Sequence, residues 1–187
     1  MLSRDQAMAL LKEHNSEQNL INHALESEAV MHGLARKLGK DEELWGITGL
    51  LHDLDYATTK TNEARHGLDS AALIGDGLPA EALDAIKRHA CEMNGSDDPS
   101  TDFDFALRCG ETVTGMVHAG ALVRPTRIEG MKPKSLKKKM KDKAFAASVN
   151  RDCIRECEKI GLELGEFLQI AIAAVTEIAP EVGLAAE

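Results

Sequence analysis

The chain has 187 residues, of which 43% are hydrophobic and 28% are charged, a composition of globular domains that excludes intrinsic disorder as the main state. Its length predicts a single domain over residues 1–187, because domains usually contain about 100 to 200 residues. With 31 acidic and 22 basic residues the net charge is −9, which argues against a broad nucleic-acid-binding surface.

Two further features bear on where the protein works. Its apolar stretches are far shorter than the roughly 20 residues that cross a bilayer, and residues 1–10 lack the apolar region of a signal peptide. The four cysteines contain no Cys-x-x-Cys pair, so we expect buried thiols and no disulfide framework. We therefore expect a cytoplasmic protein that does not contact a membrane.

Hydrophobic residues recur at helical spacing along almost the whole chain, and no alternating run is long enough for a strand. The sequence therefore predicts an all-α fold, a compact bundle of helices. Ser3 and Gln6 have the spacing of a capping box for the first helix. Ser16 is predicted to cap a second, longer helix that Gly39 ends, and Asp41 to begin the third.

The rest of the chain alternates helices with short turns. We predict a loop at 56–61 and another at 94–100, where glycine, proline and serine are concentrated. Further helices are predicted at 66–74, from Pro79 to His89, at 103–123, from Ser135, at 151–164 and at 166–179.

His52 and Asp53 are adjacent polar residues near the end of an otherwise apolar helix. Burying an imidazole and a carboxylate is costly unless each finds a partner, and a metal ion satisfies both. His23 lies on the apolar stripe of the preceding helix, so antiparallel packing would bring it to the same place. Helical bundles build metal sites from inward-pointing side chains of separate helices, and the three residues predict such a site.

The order His23, His52, Asp53 resembles the H…HD…D signature of the HD superfamily of metal-dependent phosphohydrolases. The resemblance runs from about Leu20 to the C-terminus, and over this range the sequence is similar to a group of small, single-domain bacterial HD hydrolases. It is carried by HDLDY (52–56), His66, IKRH (86–89), ETVTG (111–115), ALVRP (121–125), KSLKKKMKDKAFA (134–146) and VNR (149–151). It implies the helical HD-domain fold, with the lysine-rich segment 132–143 and C-terminal helices over 151–179.

The resemblance also implies a ligand set. His23, His52 and Asp53 match the first three ligands, and Glu111 occupies the position of the final aspartate. Asp104 is the alternative, since it lies two helical turns earlier on the same face; Glu111 is preferred because Thr-Gly follows at the expected distance.

Additional histidines and acids surround this set. The resemblance implies that His66 and His89 bind a second metal ion or the substrate. Asp55 is predicted to act as a general base, because a carboxylate close to the reacting water is competent for that role; a surface acid is the competing interpretation. Mixed nitrogen and oxygen ligands favour manganese, iron, cobalt, nickel or zinc, as one ion or two.

The segment 132–143 concentrates positive charge on an acidic chain. Its seven lysines and one acid carry a local charge of +6, which leaves −15 for the rest of the chain. Such a segment would attract an anionic substrate, and it predicts phosphate contacts from Lys138 and Lys141, aided by Arg124 and Arg151. A solvated helix face is the alternative. The scarcity of aromatic residues argues against nucleic acid as the partner.

The resemblance, together with the predicted metal ligands, implies a metal-dependent phosphohydrolase that acts on a small phosphorylated substrate, either a nucleotide or a phosphate monoester. Two alternatives stay open. His66 and His89 are compatible with a di-iron oxygenase of the HD type, and Glu111 in place of aspartate is compatible with a catalytically degenerate, nucleotide-binding regulatory module.

Overall fold

The computed structural model describes residues 1–186, and within them it contains helices and no β-strand, which confirms the all-α class. Three short 3₁₀ turns separate some of the helices. The helices are α1 (Arg4–His14), α2 (Gln18–Leu38), α3 (Glu42–Leu51), α4 (Tyr56–Thr59), α5 (Leu68–Ile74), α6 (Ala80–Arg88), α7 (Cys91–Asn94), α8 (Asp102–Leu122), α9 (Pro133–Lys139), α10 (Arg151–Arg155) and α11 (Leu164–Glu177).

Helix α2 is the centre of the bundle and packs against α3, α8 and α11. Its apolar stripe includes Val30, Met31 and Leu34, which are fully buried, as helical spacing of apolar residues predicts. Gly39 ends the helix in the left-handed conformation, with φ of 66°, in agreement with the prediction. Among residues 1–186, no helix is both long enough and apolar enough to cross a membrane.

Gly49 allows α3 to approach α2 unusually closely. A Cβ atom at this position would lie 2.8 Å from the backbone oxygen of Ser27 and 2.8 Å from Cγ of Met31. Both atoms belong to α2, so any larger residue would push the two helices apart. This approach sets the distance between His23 on α2 and His52, which caps α3.

Several predicted helix ends differ from the structure. The capping box of Ser3 and Gln6 is present, but the prediction that Ser16 caps α2 is wrong. The N-cap is Glu17, whose side chain accepts no capping hydrogen bond. The predicted loop at 56–61 contains the one-turn helix α4, and the helix predicted from His66 begins at Leu68.

The helix predicted at 151–164 is interrupted. Helix α10 continues as a 3₁₀ turn over Glu156–Ile160, and Gly161 then adopts the left-handed conformation with φ of 77°. A left-handed residue cannot continue a helix, and α11 begins separately at Leu164.

Replacing Gly49 by alanine is expected to lower the free energy of unfolding by about 1 to 3 kcal/mol, because the added methyl group overpacks the α2–α3 contact. The measurement is urea unfolding followed by circular dichroism. Gly165→Ala is the matched control, since a Cβ at that helical position meets nothing within 4 Å, and its stability should be equal or slightly higher. Equal stability of wild type and the Gly49 variant would contradict the close approach.

Candidate metal centre

Four histidines and two carboxylates from separate parts of the chain converge, and all of them except His52 line one cavity of about 600 Å³. His23 comes from α2 and Glu111 from α8, while the others lie at helix ends or in the turn before α5. His52 is fully buried behind Asp53. The converging residues are His23, His52, Asp53, His66, His89 and Glu111.

Backbone carbonyls determine the tautomers of the two most buried rings. Nδ1 of His52 lies 2.8 Å from the oxygen of Gly49, and Nδ1 of His89 lies 2.5 Å from the oxygen of Ile86. A carbonyl oxygen only accepts hydrogen bonds, so each Nδ1 must carry the proton. In the neutral rings the Nε2 atoms are therefore unprotonated.

The other two rings are held in the same way by side chains. His66 donates from Nδ1 to Oδ1 of Asp55 at 2.8 Å. His23 donates from Nδ1 to the hydroxyl oxygen of Thr114 at 3.0 Å, because that hydroxyl gives its own proton to the backbone oxygen of Glu111. All four rings thus present Nε2 as the free acceptor atom, the arrangement in which histidine binds metals.

The free Nε2 atoms face one another in two pairs. Those of His23 and His52 are 3.2 Å apart, and those of His66 and His89 are also 3.2 Å apart. Unprotonated nitrogens at this separation repel, so each pair needs a positive charge between its members, either a proton or a metal ion. Burial lowers the pKa of His52 to about 3, which disfavours a second proton, on Nε2, at neutral pH. For His89 the carboxylate of Asp53 outweighs burial and raises the pKa.

The carboxylate of Asp53 lies between the two pairs. Its Oδ1 is 3.3 Å from Nε2 of His52, of His66 and of His89, and its Oδ2 is 3.5 Å from Nε2 of His23. Burial by itself would raise the pKa of Asp53, but the surrounding imidazoles lower it well below its ordinary value. The donor atoms thus form two groups that share Asp53, a set that fits two divalent cations with nitrogen and oxygen ligands.

Glu111 extends the group of donor atoms formed by His23, His52 and Asp53. Its Oε2 is 3.9 Å from Nε2 of His23, and burial raises the pKa of its carboxyl. Asp104 lies elsewhere: its Oδ2 accepts hydrogen bonds from the backbone amides of Ser100 and Thr101 at the start of α8. Of the two candidates, the structure brings only Glu111 to the cavity.

The structure does not place Asp55 where the predicted general base would have to be. Its side chain is fully buried, and Oδ2 accepts from the backbone amides of Gly67 at 2.8 Å and Ser70 at 2.9 Å. Burial alone would raise its pKa, but the bonds from His66 and Ser70 lower it. Both oxygens are thus already occupied, and Asp55 instead orients His66.

The four predicted phosphate contacts also lie away from the cavity. Arg124 donates to the backbone oxygens of Arg127 and Glu129, and Arg151 donates to that of Ala146, so both guanidinium groups hold loops in place. The remaining two, Lys138 and Lys141, are exposed and do not line the cavity. The sequence prediction placed charge by position along the chain, and the structure does not bring these four side chains to the cavity.

Sequence reasoning missed Thr114 and the outer wall of the cavity. Thr114 lies three residues after Glu111, a spacing that puts both on one side of α8, and this was the available signal. The outer wall includes Tyr56, Met93 and Asn150, which come from three separate turns or short helices that no local pattern connects.

A comparison with protein families agrees with the family resemblance seen in the sequence. The family model described as HD domain matches residues 20–142, a range that contains all six converging side chains. No curated protein and no solved structure matches the chain.

Asp55→Asn is expected to weaken binding of one metal ion by about 10 to 100-fold, the usual range for losing a residue that orients a ligand. The amide oxygen of asparagine would keep the bonds from Gly67 and Ser70. Its NH₂ group would then face Nδ1 of His66 and move the ring proton to Nε2, which blocks ligation. Calorimetric titration with Co²⁺ measures the change.

The control for this variant is Asp84→Asn, which removes a half-exposed carboxylate that pairs with Lys87 on α6. Its affinity for Co²⁺ should match that of wild type. Unchanged affinity in the Asp55 variant would show that the carboxylate does not orient His66 for metal binding.

Proposed function

The chain belongs to the HD-domain family, and on this premise we propose that it is a metal-dependent phosphohydrolase acting on a small phosphorylated substrate. Members of this family are generally metal-dependent phosphohydrolases. The observation that carries the proposal is the pairing of unprotonated Nε2 atoms 3.2 Å apart around the shared carboxylate of Asp53.

The residues divide into two ligand sets. His23, His52, Asp53 and Glu111 hold one divalent ion, and His66 and His89 hold a second together with Asp53. Manganese, iron, cobalt, nickel and zinc suit this mixture of imidazole and carboxylate donors. A cation held there supplies a Lewis acid for the phosphoryl oxygen and lowers the pKa of water toward neutrality.

The chain itself orients the histidine rings. The hydrogen bonds at Nδ1 of His52 and His89 end on the backbone of the helices that these residues cap, so each ring is oriented by its own helix. The carboxylate of Asp55 keeps the proton of His66 on Nδ1. Because these partners are built into the fold, the ligand atoms need little rearrangement to bind a cation.

An oxygenase with two irons is the second candidate, and the shared carboxylate of Asp53 favours it. Two sets of imidazole ligands bridged by one carboxylate suit iron as well as other transition metals. Two tightly bound irons with a mixed-valence spectroscopic signal would support the oxygenase. A redox-inert ion together with phosphate release supports the hydrolase.

His52→Gln is expected to reduce metal-stimulated phosphate release from a panel of phosphate monoesters by at least about 100-fold, because a direct ligand matters at least as much as its supporting residues. His14→Gln is the control, since this histidine at the end of α1 does not line the cavity. Circular dichroism of both variants checks the fold. Full activity in the folded His52 variant would remove the proposed site.

A further inference from the structure

The cavity wall beyond the metal ligands indicates which phosphorylated substrates fit. We propose that the substrate carries a single phosphoryl group on an uncharged leaving group with a flat, apolar face, and that polyphosphates and esters of anionic alcohols are rejected. This inference rests on the proposed function, and it goes further by assigning the selectivity to Tyr56, Met93 and Glu92.

The cavity lacks a basic side chain for additional phosphates. No lysine or arginine of residues 1–186 is among those that line it. The guanidinium of Arg108, which contacts the lining residues Glu92 and Cys153, is only 2% exposed, and it donates to Glu92, to Glu156 and to the backbone oxygen of His89. Its donors are therefore occupied, and it cannot serve a phosphate in the cavity.

The charge of the metal centre matches one phosphate. Two divalent cations bound there, together with the carboxylates of Asp53 and Glu111, would leave two positive charges, which the dianion of one phosphate monoester would neutralise. A second or third phosphoryl group would find no counter-charge. It would instead approach Glu92 at the rim, whose side chain is 61% exposed. Arg108 pairs with both Glu92 and Glu156, so these three groups keep one net negative charge, and like-charge contact is how sites reject unwanted ligands.

Tyr56 and Met93 make part of the cavity rim apolar. Tyr56 and Met93 line the cavity although 39% and 46% of each residue is exposed, and exposed large apolar residues grouped at a cavity mark a ligand surface. The ring of Tyr56 meets that of His66 edge-on, with 5.5 Å between centroids. Tyr56 therefore stands next to the ligand cluster, with a face on which a flat group can pack.

A pair of matched arylphosphonates tests the charge selection without hydrolysis, because their P–C bond replaces the scissile ester. Calorimetry on the metal-loaded protein should show 4-carbamoylphenylphosphonate binding at least about tenfold more tightly than the isosteric 4-carboxyphenylphosphonate, since only the second brings an additional anion. Equal affinities, or tighter binding of the carboxylate compound, would overturn the proposal.

A kinetic comparison tests the number of phosphates. The kcat/KM for phosphate release should be at least about 100-fold higher for a nucleoside 5′-monophosphate than for the 5′-triphosphate of the same nucleoside. Met93→Lys supplies the missing cation at the rim and should narrow this ratio. The control Leu73→Lys adds the same charge at a position that is 43% exposed and outside the cavity, and it should leave the ratio unchanged. If Met93→Lys and Leu73→Lys narrowed the ratio of kcat/KM values equally, the effect would not be local to the cavity, and the proposal would be overturned.

The possible failures are distinguishable. If the metal-loaded protein releases phosphate from no monoester, the proposed hydrolase is refuted, while the phosphonate affinities still decide whether the cavity selects by charge. If it hydrolyses monoesters and triphosphates equally well, the hydrolase stands and the selectivity proposal is refuted.

Discussion

The hydrogen bonds at Nδ1 of four histidines are the constraint on which the site depends. Two of them end on carbonyl oxygens, which cannot donate, and this fixes the proton away from the cavity. The Nε2 atoms that remain are held in pairs 3.2 Å apart by tight packing of the helices. Without a proton or a metal ion between them each pair is repulsive, so the contacts that build the bundle also assemble a set of donor atoms able to hold a metal ion.

Much of the fold could be predicted because local rules dominate in a helical chain. The periodic apolar residues of α2, the capping box at Ser3 and the left-handed Gly39 each act over a few residues. The interruption after α10 could not be predicted in the same way. Its 3₁₀ turn and the left-handed Gly161 lie within a pattern that reads equally well as one continuous helix.

The ligand cluster could be predicted in part, and the phosphate contacts could not. His23 lies on a helix face whose direction follows from periodicity, and His52 and Asp53 directly follow the last turn of α3, so their convergence is foreseeable. The roles of Asp55 and Arg151 depend on which backbone groups a loop presents to them: the carboxylate meets the amides of Gly67 and Ser70, and the guanidinium meets loop carbonyls. Such partners are set by tertiary contacts and leave no pattern in the sequence.

The most direct test of the central claim is the number of divalent metal ions bound per chain, measured by elemental analysis after the purified protein is equilibrated with a transition-metal salt and dialysed. Our account predicts two ions per chain, since the two donor groups share one carboxylate. Retention of no metal by correctly folded protein would contradict it, because the facing imidazole nitrogens would then be stable without a metal ion.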